Sequence, residues 1–353
     1  MVKISVLMYV YNSESFLKDS LDSLINQSFN DMEIICINDK SSDKSLEILN
    51  KYRNRKNFSI TSHNHLGYRS AVNNAMVKAK GKYLCIITPD CVLKEDAMKL
   101  WYDKAEESES DLTIANSEYF DEANNNRFKK NENFIKNFNP SKAFDYESIK
   151  DFIFDLDNSI SNILFNRSFI KLNKICLPDS VSYGDEVFFY KSVLSAKKMY
   201  FIEDTLLTHR IYATSLAKRH DSQLLDNITV SNDIIEVFNK NNQLDNCKHI
   251  IYERKMNYMM DAYYKIQEEC KEKYFLRLKQ DLSDILDDEK MCKDFTENIS
   301  PYNRKLFEQI LISENVYEFE LLRKTYYAMN EYYRLLDERR YLQPLATEND
   351  EEQ

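Results

Sequence analysis

Gly81-Lys82-Tyr83-Leu84-Cys85-Ile86-Ile87-Thr88-Pro89-Asp90-Cys91 is the stretch that decides how this chain folds. Tyr83 to Ile87 is a short apolar run behind a glycine, the pattern of a buried strand. Pro89 has no N–H to give to a ladder, so the chain leaves the sheet at the strand's carboxyl end. Asp90 is thereby presented at the rim, which in open α/β sheets is where ligands bind. A carboxylate facing a phosphate at such a rim requires a divalent cation between them.

The flanking sequence repeats the strand–helix theme. Ile4 to Val10 reads as a first strand. Tyr11-Asn12-Ser13-Glu14 turns into a helix that Ser13 or Ser15 can cap, with an apolar stripe of Phe16, Leu17, Leu21, Leu24 and Ile25. Glu33 to Ile37 predicts a second strand, Asn38 to Asp43 a turn, and Leu46, Ile48 and Leu49 a helix. Phe58 to Ile60 predicts a third strand and Ser70 to Ala79 a third helix. Alternation of this kind predicts a mainly parallel sheet with crossover helices. The architecture is a nucleotide-binding one, yet neither G-x-G-x-x-G nor G-x-x-x-x-G-K-[ST] occurs.

Further on, Leu112 to Ala115 predicts another strand. Residues 121–145 are polar, rich in Asn and Lys and aperiodic, which reads as a loop or insertion of the kind that carries substrate contacts. Ile160 to Leu164 and Lys198 to Ile202 are short apolar runs on either side of Ser182 to Phe189. From about residue 221 helical stripes take over. Leu322, Tyr326, Met329, Tyr333 and Leu336 form a heptad seam, and Tyr252, Met256, Met259 and Tyr263 do much the same. Such stripes suit a packed helical domain or a surface for a second copy or another partner. The expected organisation is an α/β domain over 1–220, a helical domain over 221–345 and a disordered acidic tail over 346–353.

Composition narrows the function classes. The 353 residues are 43% hydrophobic and 30% charged, enough for a packed core. A net charge of −10 argues against a nucleic-acid binder working through bulk charge and against simple adhesion to anionic lipid. Seven cysteines, odd in number and without a C-x-x-C pair, disfavour a zinc site or a disulfide framework and favour a reducing cytosol. The first residues run straight into a strand pattern without a signal peptide, and no apolar run approaches the ~18 residues that cross a bilayer. The three glycines, Gly67, Gly81 and Gly184, all lie beside candidate motifs.

Several of these segments, in order, resemble the family 2 glycosyltransferases over the first 215 residues. Ile4-Ser5-Val6-Leu7-Met8-Tyr9-Val10-Tyr11-Asn12-Ser13-Glu14 is similar to V-I-I-P-V-Y-N-x-E. Leu21 to Ser28 is similar to S-L-L-x-Q-T, and Ile34 to Asp43 to I-I-x-V-N-D-G-S-x-D. The resemblance implies the GT-A fold, a nucleotide-sugar donor (a UDP-sugar) and transfer with inversion. It implies that Asp39 accepts from a uracil N–H and that Val10, Tyr11 and Glu14 line base and ribose. On the residues alone, Asp39 equally suits a turn cap.

The remaining segments carry the transferred roles. Asn64 to Asn74 resembles N-x-G-x-S-x-A-R-N, in which Gly67 opens a turn and the next helix offers its N-terminus to a diphosphate. Val72 stands at the family's arginine, an arginine appears three residues earlier as Arg69, and Asn73 is retained. Thr88-Pro89-Asp90-Cys91 stands where the family has D-S-D-D. This implies a metal contact, Mg²⁺ or Mn²⁺, at Asp90, with Thr88 in the first aspartate's place against the donor. Gly184-Asp185-Glu186-Val187-Phe188-Phe189 resembles G-E-D-x-x-F with its acids exchanged. Glu186 then holds the position of the catalytic base, with Asp185 as the alternative, although adjacent acids also cap helices. Leu207 to Ser215 resembles Y-x-Y-R-x-x-x-x-S. Arg210 is a candidate phosphate or acceptor clamp, and His209 either an extra metal ligand or an ordinary surface histidine.

The resemblance further implies a glycan or lipid-linked glycan acceptor, such as capsule or lipooligosaccharide, and a cytoplasmic enzyme in peripheral contact with the inner face of the membrane. The rival expectation is a retired transferase fold serving as a binding scaffold. Thr88 and Val72 favour it, while Asp39, Asp90, Glu186 and Arg210 oppose it.

Overall fold

β1 (Ile4–Val10) is apolar on both faces and buried almost throughout, which requires an interior strand covered on each side by helices. In the computed structural model, which describes residues 2–138, 140, 142–178, 184–212 and 222–342, that expectation holds. β1 pairs in parallel with β2 (Met32–Asn38) and with β4 (Tyr83–Ile86), and β3 (Phe58–Ser62) extends β2, again in parallel. α1 (Leu17–Ile25), α2 (Ser45–Asn50) and α3 (Tyr68–Lys78) connect these strands. Leu17, Leu21 and Leu24 of α1 pack into the same core as Val6, Met8, Leu49 and Cys85.

Beyond β4 the sheet departs from the mainly parallel arrangement that the sequence predicts. β8 (Ile163–Asn166) runs antiparallel to β4 and to β6 (Leu112–Asp121). β9 (Met199–Ile211) is parallel to β6, and β5 (Cys91–Leu93) is antiparallel to β9. β7 (Asn126–Phe128) folds back on the end of β6. The order is β3-β2-β1-β4-β8-β6-β9-β5. Two features were not expected. The three-residue β5 begins immediately after Asp90, and β9 runs on past the apolar run Lys198 to Ile202 through Leu207–Ile211. Both are fixed by tertiary pairing, Cys91 opposite His209, that no local pattern encodes. The polar stretch 121–145 also carries structure, β7 and α5 (Glu132–Phe138). α4 (Ala97–Ser108) closes this part by burying Trp101, whose indole N–H donates to the Thr113 carbonyl at 2.7 Å. α6 (Tyr146–Ile149), α7 (Arg167–Leu172) and α8 (Gly184–Ser195) complete it, with Phe188 of α8 edge-on to Phe165.

The chain divides into two units, Met1–Arg219 with Thr229–Asn246, and His220–Ile228 with Cys247–Gln353. The first unit reclaims most of α9 (Asp226–Lys240), where Phe238 stacks on Phe154. The second is helical: the rest of α10 (Leu244–Lys265), then α11 (Glu268–Leu286), α12 (Glu289–Glu297), α13 (Pro301–Ile312) and α14 (Val316–Leu342). Tyr252, Met256, Met259 and Tyr263 are core there, and a buried Lys255–Asp281 ion pair at 2.7 Å joins α10 to α11. The other stripe is less covered. Leu322 and Tyr326 are half-buried and Met329 is half exposed; the side chains of Tyr333 and Leu336 and the expected tail at 346–353 lie outside the described residues. Among the described residues no helix is long and apolar enough to cross a membrane.

Gly81, two residues before β4, packs directly against the backbone of β1. A Cβ there would stand 2.5 Å from the Ser5 nitrogen and 2.7 Å from the Ile4 carbonyl carbon, both backbone atoms. The Gly81 N–H also donates to Ser5 Oγ at 2.8 Å. Gly81→Ala is therefore expected to destabilise the first unit by about 1–3 kcal/mol, the usual cost of overpacking, read by urea denaturation. An unchanged midpoint would show that the two strands separate freely.

Candidate active site

Because β2, β1 and β4 are parallel neighbours, their carboxyl ends put Asp39, Tyr11 and Asp90 on one rim. Asp39 is 2% exposed and its carboxylate is a hub. Oδ1 accepts from the Leu66 N–H at 2.7 Å; Oδ2 accepts from the Gly67 N–H at 2.8 Å and from the Tyr9 hydroxyl at 3.0 Å. Burial pushes its pKa up, but these three donors outweigh burial and hold it below the usual value. Gly67 has φ +79° with open space around it, so glycine is needed for its backbone angle. α3 starts at the next residue.

That next residue, Tyr68, links the two halves of the rim. Its ring packs edge-on to Tyr9 at 5.4 Å. Its buried phenol lies close enough to Asp185 and Asp90 for both carboxylates to raise its pKa further, after burial itself. Asp185 is raised to about 6, chiefly by burial and further by Glu186, while the Tyr68 hydroxyl opposes the shift. Neither the Tyr68 hydroxyl nor Asp185 Oδ1 has a well-formed hydrogen bond among the described residues. Asp185 and Glu186 occupy the first turn of α8, so Asp39, Tyr68, Asp90 and the acid pair belong to one neighbourhood.

The first two turns are clamped to each other. Asn12 Oδ1 accepts from the Ser42 N–H at 2.8 Å, Glu14 Oε2 from the Lys44 N–H at 2.8 Å, and Asp43 Oδ2 from the Glu14 N–H at 2.9 Å. Tyr11 is 43% exposed over the rim, edge-on to His65. Glu14 thus organises a turn. Val10 is buried in the core, and only its carbonyl reaches the rim, where it accepts from the Asp39 N–H. Asn73 is likewise turned away, exchanging two hydrogen bonds with the Leu177 backbone at 3.0 and 3.1 Å. Arg69 lies half-buried on the first turn of α3.

The Asp90 turn is held from behind. The Arg210 N–H donates to the Asp90 carbonyl at 3.0 Å and the Cys91 N–H to that of Thr88 at 3.0 Å. Thr88 and Asp90 stay half-buried, whereas Cys91 is fully buried. His209, expected as a surface residue or a metal ligand, is 7% exposed with both ring nitrogens engaged. Nδ1 is 3.1 Å from Cys91 Sγ and Nε2 is 2.7 Å from Asn162 Oδ1. Burial lowers its pKa, against the pull of Asp157 and Asp90. The Arg210 guanidinium, expected as a phosphate clamp, is bound by Asp19 at 2.7 Å and by Glu122, and lies over the Tyr212 ring. In this arrangement His209 has no lone pair for a cation and Arg210 is already paired. Tyr9, Tyr68, Cys91 and Asn162 were not picked out from sequence. Tyr68 could have been, since it follows Gly67 directly; nothing local marks Asn162.

Among the described residues no three His, Cys, Asp or Glu side chains converge as a cation site. On the turn after β4 Asp90 supplies one carboxylate, which fits a cation shared with a phosphate-bearing ligand better than a resident one.

The fold and rim define a GT-A type α/β domain followed by helices. Its path matches that of Staphylococcus aureus TarS residues 1–349, solved in complex with UDP, with a TM-score of 0.67 and 18% identity, covering 92% of this chain and 91% of that one. Residues 5–172 match the family described as Glycosyl transferase family 2, and the first unit belongs to that family. A poly(ribitol-phosphate) beta-glucosyltransferase of Bacillus spizizenii is 34% identical over 204 residues; the matched stretch is 56% of this chain but only 30% of that relative. Glycosyltransferase GlyG of Streptococcus pneumoniae is 27% identical over 250 residues, 67% of this chain and 78% of that protein.

Asp185 yields a pH test. Its folded pKa of about 6 exceeds the ordinary 3.8, so the protonated carboxyl stabilises the fold fully below pH 3.8 and that stability is lost as pH rises through 6. Asp185→Asn, which keeps the shape without the charge, is expected to gain on the order of 2 kcal/mol relative to wild type at pH 7.5 and little at pH 4. Denaturation at both pH values checks this; an equal difference at both would contradict the raised pKa.

Proposed function

We propose that the protein is an inverting, cation-assisted glycosyltransferase that moves a sugar from a UDP-sugar to a hydroxyl of a cell-surface polymer. The observation that carries this reading is the Tyr68 phenol, whose pKa responds to both Asp90 and Asp185. That proximity supports reading Asp90 as the group for the donor diphosphate and the acid pair as the group for the acceptor, side by side. The TarS structures with UDP and with UDP-GlcNAc support a UDP-sugar donor. The names of two relatives, which act on poly(ribitol-phosphate), support an anionic polyol or glycan polymer as acceptor.

In this reading Asp39 uses its remaining lone pair for the uracil N–H, and Tyr11 and Glu14 border the base and ribose. The N-terminal turn of α3, from Gly67 through Arg69, faces the diphosphate. Mg²⁺ or Mn²⁺, held by Asp90 together with the donor's own phosphate oxygens, would neutralise charge on the departing nucleotide. Glu186 takes the proton of the acceptor hydroxyl. The oxygen bonds to the anomeric carbon as the bond from that carbon to the diphosphate oxygen breaks, and UDP leaves with the electron pair. One displacement inverts the configuration. Asp185, beside Tyr68, has a pKa of about 6, so it is half protonated at that pH and adds charge beside Glu186 above it.

Glu186→Gln is expected to lower kcat by about 10²-fold or more, the scale of a lost general base, while UDP binding measured by calorimetry stays at the wild-type level. Asp185→Asn is expected to retain most of kcat. The reverse result would move the base to Asp185. Absence of UDP binding with and without Mn²⁺ would favour a retired fold serving as a scaffold.

A further inference from the structure

Lys255 and Arg323 are both buried in the helical unit, but their charges are met differently. Lys255 is paired with Asp281 at 2.7 Å. Arg323, on α14, is 6% exposed and has no carboxylate within ion-pair distance among the described residues. Three tyrosines surround it instead. Nη2 donates to the hydroxyls of Tyr264 on α10 and Tyr327 on α14, both at 2.6 Å, and of Tyr302 on α13 at 3.1 Å. The guanidinium carbon stands 4.7 Å from the centre of the Tyr327 ring, 5.6 Å from that of Tyr302 and 5.9 Å from that of Tyr264.

A buried cation without a counter-charge is costly, and ring faces offset that cost only in part. Counting protons shows what the cluster has left to give. Each hydroxyl accepts from Arg323 and owns one proton. The Tyr302 and Tyr327 oxygens are 2.9 Å apart, so one of their protons is used between them, whichever way it points. Two phenol protons therefore remain. Nε and Nη1 of Arg323 donate to nothing among the described residues. The cluster thus offers surplus donors around one full positive charge. It is also open to solvent, with Tyr264 54%, Tyr302 44% and Tyr327 48% exposed. A guanidinium with phenol O–H groups beside it suits the oxygens of a phosphate, and exposed rings suit the C–H edges of a polyol. In a chain of net charge −10 this is recognition at a point, not attraction by bulk charge. That disfavours an anionic membrane, which draws proteins through many cations together.

We propose that Arg323, with Tyr264, Tyr302 and Tyr327, forms an anchoring site on the helical unit for a phosphodiester group of a polyol-phosphate chain. The guanidinium meets the charge, the two spare phenol protons bind the phosphate oxygens, and the rings lie along the polyol. The site takes no part in the displacement; it holds the polymer and so raises the local concentration of acceptor. The choice of polymer rests on the acceptor reading above, whereas the anion site rests on the cluster itself.

The test uses the full chain and a synthetic ribitol-phosphate octamer, titrated by calorimetry beside dextran as a neutral polymer and mixed phosphatidylcholine–phosphatidylglycerol vesicles. Arg323→Lys, which keeps a charge but loses the fork, is expected to weaken octamer binding about tenfold. Tyr264→Phe, which keeps the ring but loses a spare proton, is expected to weaken it about threefold. A wild-type thermal midpoint and wild-type UDP affinity in Tyr264→Phe separate a lost site from a misfolded chain. Unchanged octamer affinity in Tyr264→Phe makes the cluster a structural clamp and overturns the site. Dextran binding that weakens equally in the variants overturns the role of phosphate, and vesicle binding that weakens while octamer binding does not overturns the polymer. Loss of the site with the octamer still glycosylated leaves the acceptor reading standing; an octamer neither bound nor glycosylated overturns both.

Discussion

The Asp39 carboxylate, at the end of a central parallel strand, draws two main-chain N–H groups and a phenol onto itself. A buried carboxylate is tolerable only when its oxygens are so satisfied. That requirement fixes the backbone at Leu66 and Gly67, sets the start of α3 and orients Tyr9. Tyr68 then follows: it begins the helix, packs on Tyr9 and reaches the acids of α8 and the Asp90 turn. The rim residues are linked in this way through a single ionised group.

A second buried carboxylate, Asp157, obeys the same rule. Asp157 orients Asn162, Asn162 fixes the tautomer of His209, and His209 fixes the thiol of Cys91. Buried polar networks of this type give one geometry when every member is satisfied. Their effect here is to hold the Thr88–Asp90 turn rigid where β4 ends and β5 begins. Asp185 stands apart, with an oxygen lacking a partner among the described residues and a raised pKa. Such unsatisfied groups concentrate where chemistry is done.

Half of the fold was legible because it is local. β1 to β4 alternate with amphipathic helices, and the periodicity of each segment announces it. Later on, the starts of β6 and β9, part of β8 and the helices after residue 221 also fall on patterns the sequence shows, whereas β5 and the far end of β9 exist through pairing with each other. Site residues divide the same way. Asp39, Gly67 and Asp90 follow strand ends or open a helix, and the structure puts them on the rim. The surroundings of His209 and Arg210 were not legible because their partners are remote: Asn162 lies 47 residues from His209, and Asp19 lies 191 residues from Arg210. Val10 and Asn73 sit in the right segments with their side chains turned into the protein.

The central claim is that one hollow, bounded by the ends of β1, β2 and β4 and by the first turn of α8, receives a nucleoside diphosphate. Backbone hydrogen–deuterium exchange on the full chain, with and without UDP and Mn²⁺, tests it most directly. Protection should appear together at residues 11–14, 39–43, 65–70 and 88–91 and at the start of α8. Protection confined to other surfaces, or at only one of these segments, would contradict a shared site.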